Sequence, residues 1–171
     1  MAINSRSKGC KNERKAAKLI AAWTNKAFAR TPSSGGLNWK TSNTKGDIVC
    51  TTEGHYFPFC VEVKAHKEIN FSELLMSKKK GVKVQEFWEQ ATRDAAKCNK
   101  TPLLFMRYNR MPSNLFFIAL PQETWRIIKK CIPKGNTLTW TTPEGGIVIC
   151  PSDLFLSSDY KQIKKVLKNA K

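Results

Sequence analysis

The segment from Lys45 to Lys64 constrains the fold and the chemistry of this chain more than any other stretch. It reads K-G-D-I-V-C-T-T-E-G-H-Y-F-P-F-C-V-E-V-K. Two β-rich runs, Asp47–Thr51 and Tyr56–Lys64, flank the polar stretch T-T-E-G-H, which predicts a hairpin or two adjacent strands. In either arrangement the carboxylates of Asp47 and Glu62 can approach each other across the strand pair.

Alternation along the second strand separates a chemical face from a packing face. Glu62 and Lys64 lie on one side and Val61 and Val63 on the other, because successive side chains of a strand point to opposite faces. Two carboxylates with no histidine or cysteine at ligand spacing form a hard oxygen site that suits Mg²⁺. A lysine beside them can stabilise a developing anion or orient a water. The alternative is a surface ion pair between Glu62 and Lys64 on an amphipathic strand.

The charge balance of the chain indicates an anionic partner. The 171 residues include 30 Lys and Arg against 13 Asp and Glu, a formal net charge of +17 with a pI near 9.8. Such an excess opposes compaction by self-repulsion and is tolerated where an anionic partner neutralises it. Nucleic acid is the leading candidate.

Other classes of protein fit the sequence less well. No run reaches the roughly 18 apolar residues of a membrane-spanning helix, and the N-terminus M-A-I-N-S-R-S-K-G lacks the apolar segment of a signal peptide. We therefore expect a cytoplasmic protein with no membrane partner and no small-molecule cofactor. The six scattered cysteines form no C-x-x-C motif, so reduced thiols are expected rather than zinc or disulfides.

Several segments offer groups that suit phosphate contacts. The loop before Asp47 is rich in glycine, hydroxyl and basic residues, although a linker without a ligand would look similar. The lysine run 78–80 can line a DNA path or can be a solvated helix end. In the helix predicted from Val84 to about Cys98, Gln90 lies off the apolar stripe and can reach substrate or water. The candidate DNA-contacting residues are Arg30, Ser33, Ser34, Lys40, Lys45, Lys67, Lys78, Lys79, Lys80 and Gln90.

The remaining periodicities predict an α/β fold. A helix is expected from Asn12 to about Phe28, with Glu13 either in its first turn, where the helix dipole favours a carboxylate, or in the acidic site. Strands are expected at P-L-L-F-M-R-Y and L-F-F-I-A-L, then a short helix, two short strands at 137–142 and 147–150, and a basic helix at 157–171. Helices between groups of strands indicate a sheet covered by helices.

These motifs, in this order, resemble the Holliday junction resolvases of archaea and phages. The likeness rests on the helix with Glu13, the loop P-S-S-G-G, then G-D-I-V, C-V-E-V-K, F-W-E-Q-A-T-R-D-A-A-K and T-P-L-L-F, and it covers roughly residues 5–108. Those resolvases belong to the restriction-endonuclease-like nucleases with a P-D…[D/E]-x-K site. This sequence departs from that pattern in having Gly46, not proline, before Asp47.

The resemblance implies a fold and a set of roles. The fold would be a restriction-endonuclease-like mixed central sheet flanked by helices, with a C-terminal β/α extension. We expect a single nuclease domain over 1–171, with a core at about 5–120 and an accessory extension at 121–171. Asp47 and Glu62 would bind the metal, assisted by the backbone carbonyl of Val63. Lys64 would position or activate the water, and Glu13 would complete the catalytic set.

The expected function is Mg²⁺-dependent phosphodiester hydrolysis by a homodimer that resolves Holliday junctions or other branched DNA, with Mn²⁺ as a substitute metal. Two alternatives remain at this point. One is a nuclease of the same class acting on linear, nicked or flapped duplex DNA. The other is a DNA-binding protein with the same fold and no turnover, which the complete set of Glu13, Asp47, Glu62 and Lys64 disfavours.

Overall fold

A computed structural model describes residues 5–31, 45–76, 82–142 and 145–170. The α-helices are α1 (Ser5–Thr24), α2 (Lys83–Lys97), α3 (Gln122–Ile128), α4 (Ser152–Leu156) and α5 (Tyr160–Asn169). The strands are β1 (Phe28–Arg30), β2 (Ile48–Cys50), β3 (Phe59–His66), β4 (Thr101–Tyr108), β5 (Phe117–Pro121), β6 (Leu138–Thr142) and β7 (Gly145–Pro151). Short 3-10 helices occupy Phe71–Met76 and Lys129–Cys131.

The seven strands form one mixed sheet in the order β1-β2-β3-β4-β5-β7-β6. Among the described strands, β3 and β4 are the parallel pair, with Glu62 opposite Leu104 and Lys64 opposite Met106. The other neighbours are antiparallel. A parallel pair needs a crossover connection, and α2 supplies it between β3 and β4. The expected α/β class with a mixed central sheet flanked by helices is therefore confirmed.

Two apolar cores cover the two faces of the sheet. On one face, α1 and α5 pack through Ala16, Ile20 and Ile163 against β3 residues such as Val61. On the other face, α2 packs through residues including Val84 and Ala91 against Leu104 and Met106. Glu62 and Lys64 lie opposite Leu104 and Met106 in the register, so the predicted chemical face is the α2 face.

The structure changes the expected bounds of several elements. The first helix begins at Ser5 and ends at Thr24, although it was expected to continue to about Phe28. Residues 28–30 instead form β1, which pairs with β2. The helix expected from 157 to 171 corresponds to α5, and the short helix α4 before it was not expected. Pro121, which the sequence favours as the first residue of the short helix, is the last residue of β5 and precedes α3.

The segment expected as an accessory extension contributes to the central sheet. β7 pairs with β5 over five registered positions, and β6 pairs with β7. Phe155 and Ile163, from α4 and α5, are fully buried in the same core as α1. No helix in the described part of the chain is long and apolar enough to cross a membrane.

Candidate active site

The residue before Asp47, Gly46, packs tightly against the backbone of β3. Its φ is +89°, and a Cβ at this position would lie 2.6 Å from the carbonyl oxygen of Val61. Proline cannot adopt a positive φ, since its ring fixes φ near −65°. The Thr31 hydroxyl donates to the Gly46 carbonyl at 2.9 Å. Glycine in place of the pattern's proline is thus a geometric requirement of this loop.

The same contact places Asp47 beside β3. The Asp47 backbone N–H donates to the Val61 carbonyl at 2.7 Å, and Asp47 Oδ2 accepts from the Val63 N–H at 2.8 Å. Thr31 N–H also donates to the Asp47 carbonyl at 2.8 Å. Backbone and side chain of Asp47 are therefore both tied to the strand that carries Glu62, as the predicted strand pair requires.

Glu62 is a buried carboxylate with two charged or polar partners. Only 3% of the residue is exposed. Its Oε1 lies 2.6 Å from Lys64 Nζ and accepts a hydrogen bond from Gln90 Nε2 at 2.7 Å. A buried carboxylate is tolerated when it is paired and hydrogen-bonded. The Glu62–Lys64 ion pair exists on the chemical face, with the glutamate buried and the lysine half-buried, so it is not a fully solvated surface pair.

The carboxylates of Asp47 and Glu62 lie close enough for their charges to repel each other. Burial, and after it the nearby charge of Glu62, raise the pKa of Asp47 from 3.8 to about 6. The Val63 N–H and the charge of Lys64 lower this pKa, without cancelling the increase. Like charges at close range disfavour ionisation of both, so a cation between them would relieve the repulsion.

Glu13 lies at the border of this acidic pair. Its Oε2 accepts from Arg30 Nε at 2.7 Å, and its charge also raises the pKa of Asp47. The first-turn explanation of Glu13 is wrong, because α1 begins at Ser5 and no acidic residue stands in its first turn. Arg30, one of the candidate DNA-contacting residues, forms an ion pair with Glu13 beside the site.

Three of the other candidate DNA-contacting residues lie in the described part of the chain: Lys45, Lys67 and Gln90. Lys45 is exposed, and its carbonyl accepts from the Cys60 thiol at 3.3 Å. Lys67 is exposed just beyond β3, and Gln90 faces Glu62 from α2. The remaining predicted contacts lie outside the described residues: Ser33, Ser34, Lys40, Lys78, Lys79 and Lys80.

Two residues that shape the site were not predicted from the sequence. Thr31 donates to the carbonyls of Asp47 and Gly46 through its N–H and its hydroxyl, and Gly46 makes the close approach possible. A glycine directly before a candidate ligand is a signal of a position that needs positive φ. Nothing in the sequence marks Thr31, because its partners become neighbours only after β1 pairs with β2.

The donor set of the site fits a hard cation. Within the described ranges, no three His, Cys, Asp or Glu side chains are grouped so as to hold a metal ion by themselves. Mg²⁺ does not need such a cage, since it commonly takes one or two carboxylates and completes its shell with water and substrate phosphate. The juxtaposed carboxylates of Asp47 and Glu62 are a pair of this kind.

Comparison with known proteins finds a matching family model and a related phage protein. The family model described as "Phage putative PDDEXK endonuclease" matches residues 4–143. Protein D14 of Escherichia phage T5 is 30% identical over 111 residues, which is 64% of this chain and 68% of that protein. No solved structure matches the chain significantly. The matched region contains all four candidate catalytic residues, and the chain belongs to the phage PDDEXK endonuclease family.

Proposed function

We propose that this endonuclease hydrolyses phosphodiester bonds of Holliday junctions or other branched DNA in a Mg²⁺-dependent reaction. The observation that carries the proposal is the placement of Asp47 against β3, beside the buried Glu62 and its ion-pair partner Lys64. A site with two acids and a lysine on one face offers metal ligands and a positive charge where a phosphodiester reacts.

The metal would be held by Asp47 and Glu62, with the backbone carbonyl of Val63 as a further oxygen donor. All are hard oxygen ligands, so Mn²⁺ is expected to substitute for Mg²⁺. The bound ion would supply Lewis-acid stabilisation of the scissile phosphate and lower the pKa of an attacking water. Asp47 needs to be ionised to act as a ligand, and the positive ion favours that form.

The protein's own side chains would position and polarise the reactants. Lys64 Nζ, on the same face as Glu62, would orient the attacking water or stabilise the additional negative charge of the transition state. Gln90 holds Glu62 Oε1 from α2 and so fixes the orientation of the carboxylate. Glu13, held by its ion pair with Arg30, would be a further catalytic carboxylate at the edge of the site.

The preference for branched DNA rests on the resemblance to junction resolvases and on the charge of the chain. A net charge of +17 favours binding dominated by phosphate contacts, which position a protein without reading base edges. Resolution needs two cuts in opposing strands, so a homodimer that carries one site per protomer is part of this proposal. The cytoplasm, of the host for a phage protein, would be its compartment.

The experiment is a cleavage panel on three equal-length labelled substrates: a four-way junction, a flap and a linear duplex. Each is incubated with Mg²⁺ or EDTA, using the wild type and the Glu62→Gln variant. The proposal predicts paired nicks in opposing strands of the junction, with the junction clearly preferred over the duplex. Cleavage should require Mg²⁺ and be lost in Glu62→Gln.

Two outcomes would overturn parts of the proposal. Equal cutting of all three substrates would retain the chemistry and discard the junction preference. Tight junction binding with no cut under Mg²⁺ or Mn²⁺ would discard the nuclease activity and support a non-catalytic binding protein.

A further inference from the structure

The last helix, α5, carries a continuous stripe of basic residues. Lys161, Lys164, Lys165 and Lys168, which we call the lysine stripe, follow the i, i+3, i+4, i+7 spacing of one helical face. Lys161, Lys165 and Lys168 lie toward solvent more than Lys164, which is half-buried. The helix contains no acidic residue, and none of the four lysines forms an ion pair with an acid in the described part of the chain.

The helix packs against the core with most of this stripe on the outside. Tyr160 and Ile163 are buried in the core that α5 shares with α1, and the Asp159 side chain caps the helix by accepting from Lys161 N–H at 2.8 Å. Like charges at i and i+4 destabilise a helix by a few tenths of a kcal/mol per pair. A folded helix that presents four such charges is suited to a partner that neutralises them.

A lysine from another element extends the basic surface. The charges of Lys164 and Lys26, after burial, both lower the pKa of His55, which places the two lysines around one residue of the β2–β3 turn. His55 Nε2 lies 3.1 Å from the Tyr160 hydroxyl and so ties this turn to the start of α5. The acids nearest in sequence are Asp159, which caps the helix, and the exposed Glu53 of the turn.

This surface is separate from the candidate active site. Glu62 faces α2 through Gln90, whereas α5 packs with α1 on the opposite face of the sheet. The β2–β3 turn follows β2, whereas Asp47 precedes it, so the two lie at opposite ends of this strand. The family match ends at residue 143, before α5 begins.

We propose that the lysine stripe, together with Lys26, is a second, non-catalytic surface that binds the phosphate backbone of a duplex DNA arm away from the cut site. This inference rests on the proposed function, because it takes DNA as the anionic partner. Regularly spaced ammonium groups on a fixed helix match a linear array of phosphates and need no base contacts.

The test compares two variants with the same change in charge. The stripe variant carries Lys161→Ala, Lys164→Ala, Lys165→Ala and Lys168→Ala. The control carries Arg126→Ala, Lys129→Ala, Lys130→Ala and Lys134→Ala, four exposed residues of α3 and the segment after it. Fluorescence anisotropy in EDTA measures binding of a short and a several-fold longer labelled duplex over a range of salt. Circular dichroism checks the fold of both variants.

We expect the stripe variant to bind the long duplex at least about tenfold more weakly than the wild type and the short duplex almost as tightly. The slope of log K against log salt should become shallower by about 0.9 for each phosphate that the protein no longer neutralises, up to about 3.6 for four lysines. The control variant should keep a slope and a length dependence closer to those of the wild type.

Three results would overturn the inference. Equally weakened DNA binding by both variants would show an effect of net charge alone. Unchanged DNA binding by the stripe variant would show that the lysine stripe is not a DNA-binding surface. Weaker binding to phosphatidylglycerol vesicles, with DNA binding intact, would assign the stripe to a membrane. Because these measurements exclude Mg²⁺ and need no cleavage, their failure is distinguishable from failure of the nuclease proposal.

Discussion

At the scale of single residues, the acidic site depends on a close backbone approach as much as on its carboxylates. Gly46 lets the chain pass against the Val61 carbonyl, and Asp47 then bonds to β3 through both its N–H and its Oδ2. A change at Gly46 should therefore affect both the stability of the fold and the position of Asp47.

Gly46→Ala is expected to destabilise the protein by roughly 2–4 kcal/mol, of which about 1 kcal/mol reflects the positive φ and the rest the clash with backbone. Gly54→Ala is the matched control, because Gly54 has φ +65° with nothing within 4 Å of an added Cβ. Chemical denaturation measures both free energies of unfolding. Equal losses of stability at the two positions would contradict the close approach at Gly46.

Asp47→Asn is expected to stabilise the metal-free protein at neutral pH. The folded-state pKa of Asp47, about 6, exceeds its ordinary value of 3.8. As pH rises through this interval, the unfolded state ionises first and the fold becomes less stable by up to about 3 kcal/mol. Asparagine cannot ionise, so its advantage over the wild type should grow from about pH 4 to about pH 7.5.

The measurement is the free energy of unfolding in EDTA at both pH values, for the wild type, Asp47→Asn and Asp153→Asn. Asp153 is exposed and stands in the first turn of α4. An Asp47→Asn difference that does not change with pH would contradict the raised pKa.

The sequence predicts part of this site well. Strand alternation and the polar turn between two β-rich runs are enough to place Asp47 near Glu62 and to put Lys64 on the same face. The bond from Gln90 to Glu62 depends on how α2 packs against the sheet, so periodicity identifies Gln90 only as lying off the apolar stripe. The prediction that Glu13 stands in the first turn was wrong. Residues 5–11 have little apolar periodicity, so the pattern did not indicate that the helix begins at Ser5.

At the scale of elements, local patterns predict long elements better than short ones. The β3 and β4 strands and α2 lie close to their expected ranges. Strand β1 has only three residues, and its first residue, Phe28, also fits the apolar face of α1. The helical periodicity therefore predicted that α1 extends as far as Phe28. The joining of β6 and β7 to the sheet is a long-range pairing with β5, and short-range patterns contain no information about such a partner.

The contribution of the C-terminal segment to the core leads to a prediction in α3. Ile128 is fully buried, whereas its neighbour Ile127 is 40% exposed. Ile128→Ala should cost about 2–5 kcal/mol of stability, because it removes buried methyl groups and leaves a cavity. Ile127→Ala should cost less than about 1 kcal/mol. Denaturant titration of both variants checks this, and a small effect of Ile128→Ala would mean that this segment packs loosely on the sheet.

At the scale of the whole molecule, the dominant property is a net charge of +17. If each protomer neutralises about 6–10 phosphates, affinity for DNA should fall about 10³- to 10⁵-fold between about 50 and 200 mM salt. A binding titration in EDTA at several salt concentrations measures the slope. Affinity that is nearly independent of salt would mean that phosphate contacts do not dominate recognition.

Asp47 and Glu62 are proposed to form the metal-dependent site with which the whole molecule cuts DNA. The decisive measurement is cleavage of a four-way junction in Mg²⁺ by the wild type, Asp47→Asn and the control Asp153→Asn, with junction binding measured in parallel. We predict that wild type and Asp153→Asn make paired nicks, and that Asp47→Asn binds the junction but does not cut it. Cleavage by Asp47→Asn at the wild-type rate would contradict the assignment of this site.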